Sequence, residues 1–202
     1  MTNLPRTMAL LLLCGALLGG QAAEAQETEV GESGPSGGLM LIELPAHRAL
    51  SRIRGGEDTE LEDFTTDGCS GGLSAGWMAV ADWLPSFASE HGDTPPWEGC
   101  CVSHDRLYHS GGPSTDAKAS FVARLAADEA LRQCVLATGE ERLAVIVESN
   151  SVEPETVRKA YQTIADAMYV AVRTGGGPCT GLSWRWGYGY PQCLVLPGDL
   201  SD

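Results

Sequence analysis

The sequence predicts a mainly helical fold cross-linked by disulfides, and three observations carry that expectation. Apolar residues recur at helical spacing in the stretches after residue 96, each bounded by proline or glycine. Once a leader containing Cys14 is set aside, six of the seven cysteines remain, an even number in a chain expected to be exported. Two of them, Cys100 and Cys101, are neighbours that cannot bond to each other without severe strain, so they must reach two different places. The helix that carries them is the cross-linked centre of the chain.

At 202 residues the chain is long enough for one domain with a core plus extensions. Its formal charge of −14 argues against a nucleic-acid partner and against simple electrostatic adsorption to an anionic bilayer. Arg6, the apolar run Met8 to Gly19 and Ala23-Glu24-Ala25 read as a secretory signal peptide over residues 1–25, so the mature protein is expected to be secreted or periplasmic. That run is too short to span a bilayer, and no other segment is apolar enough. Residues 26–55 read as a disordered, acidic tail and connector. Gln26 to Gly38 has almost nothing to bury, while Leu39 to Ile53 fits a short helix or strand pair interrupted by Pro45. The domain proper is assigned to residues 56–202, with a core over 64–138 and an extension over 139–202.

Phe64 to Gly76 is a loop by composition, in which Gly68, Gly71, Gly72 and Gly76 permit unusual backbone angles. Such a loop can turn several carbonyl oxygens toward one point, as calcium requires. Trp77 to Phe87 follows as an amphipathic, helical stretch. Trp97 to Ser110 reads as the central helix, preceded by Pro95 and Pro96 and ended by Gly111-Gly112. Residues four apart share a face, so His104 lies between Cys100 and Tyr108, and Asp105 lies over Cys101. The imidazole can take a proton near neutral pH, and the carboxylate beside it can hold a hard cation.

Ser114 or Thr115 is expected to cap a second helix that runs to Thr138 and stops at Gly139. Its apolar stripe is Phe121, Leu125, Leu131 and Val135, and Asp128 falls in the middle of it. A carboxylate on a core-facing stripe needs a specific partner, for which His104 or Tyr108 is the candidate. A disulfide from Cys134 to Cys100 or Cys101 would lay the two helices side by side. Glu140 to Glu148 continues the helix or forms a short one. Pro154 opens a further helix to about Arg173, with Val157, Tyr161, Ile164, Met168 and Ala171 on one face. Trp184, Trp186, Tyr188 and Tyr190 alternate as in an extended segment with one face covered, and packing into the core is favoured over an interfacial role. Cys179 and Cys193 flank that segment.

Cys100-Cys101-x-x-His104-Asp105-x-x-Tyr108 resembles the active-site helix of secreted phospholipases A2. Asp128 and Cys134 resemble the partner helix of that family, and Asp67-Gly68-Cys69-Ser70 looks closest to the shorter loops of its bacterial and fungal members. The likeness spans Phe64 to Cys134; Gly139 to the C-terminus has no counterpart in it. The resemblance implies a mainly α fold: a disulfide-linked pair of antiparallel helices carrying the active site, a calcium loop before them and extra C-terminal helices. It implies Cys69–Cys101 and Cys100–Cys134 as disulfides, which leaves Cys179–Cys193 as the third. It further implies calcium-dependent hydrolysis of the sn-2 acyl ester of a phospholipid at a membrane or micelle surface, with no stable protein partner expected. His104 would be the general base, Asp128 its orienting partner and Tyr108 a hydrogen-bond donor to Asp128. Calcium would be held by Asp105, Asp67, Gly68 and Gly71. Two alternatives belong to other classes: a non-catalytic calcium- or lipid-binding module on the same scaffold, and a zinc site from Cys100, Cys101, His104 and His109. Adjacent thiolates are a poor tetrahedral set for the latter.

Overall fold

The computed structural model describes residues 35–69 and 94–201. The expected signal peptide over 1–25, the tail up to residue 34, Gly71 and the apolar stretch Trp77 to Phe87 lie outside the described residues. Among the described residues the chain forms four α-helices and a short 3-10 turn, with no strand. No helix among them is long and apolar enough to cross a membrane.

Of the two readings open for Leu39 to Ile53, the structure takes the helix. Helix α1, Pro35–Arg54, runs through residues assigned from sequence to the tail and connector, and Pro45 sits inside it. An interior proline costs about 3 kcal/mol. Burial of Leu44, His47, Ala49 and Leu50 along one side offsets that cost. At the C-terminal end of α1, the guanidinium of Arg54 donates to the carbonyls of Gly111, Gly112 and Ser114 at 2.8, 2.9 and 2.7 Å. Cationic groups suit that end of a helix, and here Arg54 also pins α1 to the turn between the next two helices.

Helix α2, Glu98–Ser110, buries Cys100, Cys101, His104, Tyr108 and His109. It stops where expected, at Gly111, whose φ of 67° is left-handed and whose N–H donates to the Tyr108 carbonyl. Helix α3, Ala117–Asn150, differs from expectation at both ends. Its N-cap is Asp116, whose side chain accepts from Ala119 N–H at 2.8 Å, while Ser114 caps the turn one step earlier by accepting from Asp116 N–H. At the other end α3 passes through Gly139 and continues to Asn150. Gly139 serves close approach instead of termination: a Cβ there would lie 2.5 Å from Cγ of Tyr161. Helix α4, Pro154–Gly175, opens on its proline as predicted and buries Val157, Tyr161, Ile164, Met168 and Val172 against α3.

The aromatic segment after α4 is a chain of turns and not an extended strand. Gly181 and Gly187 hold φ of 82° and 75°, which breaks the alternation an extended chain would keep. Trp186 is in the core, edge-on to Tyr108 at 5.0 Å, and donates through Nε1 to Ser120 Oγ at 3.0 Å. The three disulfides are Cys69–Cys101, Cys100–Cys134 and Cys179–Cys193, the pairing that the resemblance implied. In the chain-entropy model each of the two larger loops contributes on the order of 3–4 kcal/mol. Their positional effect matters more for the site, because Cys100–Cys134 joins α2 to α3 and Cys69–Cys101 anchors the loop end to α2.

Candidate active site

The residues singled out on α2 and α3 meet. Asp128 is fully buried, and its carboxylate accepts three hydrogen bonds. Oδ1 faces Nε2 of His104 at 3.0 Å and accepts from the Tyr108 hydroxyl at 2.6 Å, while Oδ2 accepts from Nη1 of Arg173 at 2.8 Å. Both partners considered for Asp128 are therefore engaged. The third, Arg173, comes from the last turn of α4, 45 residues away.

Burial alone would raise the Asp128 carboxyl. The hydrogen bond from His104, the charge of Arg124 and the donors Tyr108 and Arg173 outweigh it and hold the carboxyl below its ordinary value. Burial alone would lower His104. The carboxylates of Asp105 and Asp128 outweigh that, and its pKa is raised. Tyr108 is pushed well above its ordinary value by burial first and then by the charge of Asp128, so its hydroxyl stays protonated and donates. With Asp128 ionised, the neutral imidazole carries its proton on Nε2 and keeps the lone pair on Nδ1. That nitrogen lies 4.0 Å from Oδ1 of Asp105, too far for a direct hydrogen bond.

A cavity of about 320 Å³ opens over this pair. His104, Asp105, Asp67 and Gly68 form its polar side, and Leu131, Ala171, Val172 and Trp184 much of its apolar side. Asp105 Oδ2 accepts from the Thr66 hydroxyl at 2.5 Å. Glu98, in the first turn of α2, accepts from Cys69 N–H at 3.2 Å and packs where a Cβ of Gly68 would stand. A φ of 64° favours glycine at 68. Tyr188 is pushed up to about 12, by burial and then by the charges of Asp105 and Asp67. Asp105 and Asp67 both line the cavity. Carboxylate oxygens are the kind of donor that a hard cation such as calcium takes. Among the described residues there is no group of three or more His, Cys, Asp or Glu side chains placed to hold a metal ion. Gly71 lies outside the described residues.

Cys100 and Cys101 are both in disulfides, which removes them as zinc ligands. His109 faces away from His104, its ring edge-on to Phe64 at 5.5 Å and to Tyr188 at 5.1 Å.

Sequence reasoning missed Glu43, His47, Arg124 and Arg173. Arg124 donates through Nε to the Tyr108 hydroxyl oxygen at 3.2 Å and pairs with Glu43, and Arg173 pairs with Glu43 at 2.6 Å. His47, fully buried on α1, contacts Ser120 Oγ through Nδ1 at 2.9 Å and lies 3.7 Å from Glu43. One signal was present: Arg124 precedes Asp128 by four residues and shares its helix face.

No protein-family model matches this chain, and neither a curated protein nor a solved structure does. The functional reading rests on the residues themselves.

Proposed function

We propose that this protein is a calcium-dependent hydrolase of phospholipid acyl esters, acting at the sn-2 position, as the likeness to secreted phospholipases A2 implies. The observation that carries the proposal is a buried His104–Asp128 pair whose imidazole lines the same cavity as Asp67, Gly68 and Asp105. Contacts between α2 and α3 run in opposite order along the two helices, Cys100 with Cys134, His104 with Asp128 and Tyr108 with Arg124, which supports an antiparallel pair. The disulfides belong to an oxidising compartment, which supports export as a secreted or periplasmic protein.

In this mechanism a water at Nδ1 of His104 loses its proton to the ring as its oxygen attacks the ester carbonyl. General-base assistance of this kind is worth about 10²–10⁴-fold. Asp128 keeps the imidazole in the tautomer that exposes Nδ1 and stabilises the imidazolium once it forms. Tyr108 and Arg173 hold the carboxylate in place. The C–O bond to the glycerol oxygen then breaks, and His104 returns the proton to that leaving oxygen. No covalent intermediate is needed. Calcium would be held by Asp105, Asp67, Gly68 and Gly71, and when bound it supplies positive charge to the scissile carbonyl and the phosphate. The apolar wall of Leu131, Ala171, Val172 and Trp184 suits an acyl chain.

Fatty-acid release from mixed phospholipid vesicles, with calcium or with chelator, tests the proposal in the native protein and in His104→Ala. Calcium-dependent release that vanishes in the variant is the expected result. Release that survives the substitution would overturn the assignment of the base. No release from any lipid while calcium still binds would leave a non-catalytic binding module.

A further inference from the structure

Three charged side chains that take no part in the proton transfer form, with Tyr108 and Asp128, a closed circuit. From Asp128 Oδ2 it passes to Arg173 Nη1 at 2.8 Å, then from Arg173 Nη2 to Glu43 Oε1 at 2.6 Å. Glu43 Oε2 meets Arg124 Nη1, Arg124 Nε reaches the Tyr108 hydroxyl at 3.2 Å, and that hydroxyl returns to Asp128 Oδ1 at 2.6 Å. All four helices contribute: α1 through Glu43, α2 through Tyr108, α3 through Arg124 and Asp128, and α4 through Arg173. Two carboxylates balance two guanidiniums.

Stability alone is a weak account of this arrangement, because apolar residues in place of buried ion pairs are often neutral or stabilising. Position offers a stronger one. Oδ1 of Asp128 serves both His104 and Tyr108, and the carboxylate presents a constant lone pair to the imidazole only if Oδ2 is held as well. Arg173 does the holding. Its guanidinium is itself placed by Glu43, and Arg124 ties the end of α4 by donating to the carbonyls of Val172 and Arg173 at 2.7 and 2.9 Å. We propose that Glu43 and Arg173 are positioning residues for the His104–Asp128 pair, so that helix α1, outside the two-helix motif, completes the site. The inference rests on the general-base reading of His104.

The test uses the full chain with Arg173→Met, Arg173→Lys and Glu43→Gln, checked for folding by near-ultraviolet circular dichroism. Two readouts are taken: the low-field proton signal of the His104 N–H facing Asp128, and separate kcat and KM on phosphatidylcholine vesicles with calcium. Arg173→Met and Glu43→Gln are expected to shift or broaden the low-field signal. They are also expected to lower kcat about 10–100-fold, the cost usual for outer partners of a site, with KM little changed. Arg173→Lys keeps the charge but not the fork and should restore only part of the loss. An unchanged signal with kcat at the native level in both variants overturns the proposal. Should those variants fail to fold, Glu43→Asp carries the same expectation, since the shorter carboxylate keeps its charge but loses reach to one guanidinium. A shifted signal in variants of a protein that releases no fatty acid supports the positioning role and overturns only the hydrolase reading.

Discussion

Asp128→Asn changes one heavy atom in a fully buried group and leaves the shape of the core intact. The carboxylate now accepts from His104, Tyr108 and Arg173, with Oδ1 shared by the first two. An amide has one acceptor oxygen and one donor nitrogen, so whichever way it turns, an N–H faces at least one of those donors. Losing a hydrogen bond to a charged group costs about 1.5–3 kcal/mol. The variant also leaves Arg124 and Arg173 with Glu43 as the remaining carboxylate of the circuit, and breaking a buried pair from one side costs about 3–5 kcal/mol in comparable cases. The two figures overlap, so the expected loss is about 3–5 kcal/mol, read from urea unfolding with disulfides intact. Activity should fall further than stability explains. The wrong tautomer of a catalytic histidine costs about 10⁴-fold in kcat where an Asp→Asn change has been made beside it. A variant within about 1 kcal/mol of the native protein would refute the account of the buried charges. A folded variant that keeps its native kcat would refute the role given to Asp128.

Two further outcomes follow from the same contacts. Gly139→Ala should gain about 1 kcal/mol of helix propensity yet destabilise the protein, because overpacking costs about 1–3 kcal/mol. The Tyr161 ring it meets is backed edge-on by Trp97 at 5.7 Å and has little room to retreat; a raised thermal midpoint would contradict this. The second outcome concerns acid. Burial works to raise both Asp128 and Glu43, yet both are held below their ordinary values, by the His104 contact and the arginines at Asp128 and by the His47 contact and the arginines at Glu43. A depressed carboxyl stabilises the fold fully above its unfolded pKa, near pH 4, and that contribution is lost as pH falls through the lower folded value. Unfolding free energy measured from about pH 6 downward should therefore drop below about pH 4, and less steeply in Glu43→Gln. A flat profile in the native protein would show that the circuit does not couple to folding.

Much of the site was legible in the chain because its information is local. The 3.6-residue period alone places His104 and Tyr108 on one face of α2, and the same period puts Asp128 on the buried stripe of α3, where a partner had to exist. The adjacency of Cys100 and Cys101 required two separate cross-links, and proline and glycine marked the start of α4 and the end of α2. Where those signals misled, a distant contact had overridden a local preference. Gly139 reads as a helix stop until Tyr161 is seen against it, and Pro45 reads as a break until the buried side of α1 is in view. The aromatic alternation after Gly181 reads as an extended segment until glycines in left-handed conformations turn it into the core.

The partners of Asp128 divide along the same line. His104 and Tyr108 could be named from helix geometry and one shared stripe. Arg173, 45 residues on, and Glu43, a further 130 residues from Arg173 in the other direction, could not. A charged residue on a helix is ordinarily a solvated one. Only the docking of α1 and α4 against α3 turns Glu43 and Arg173 inward, because a charge shut away from water there must be paired.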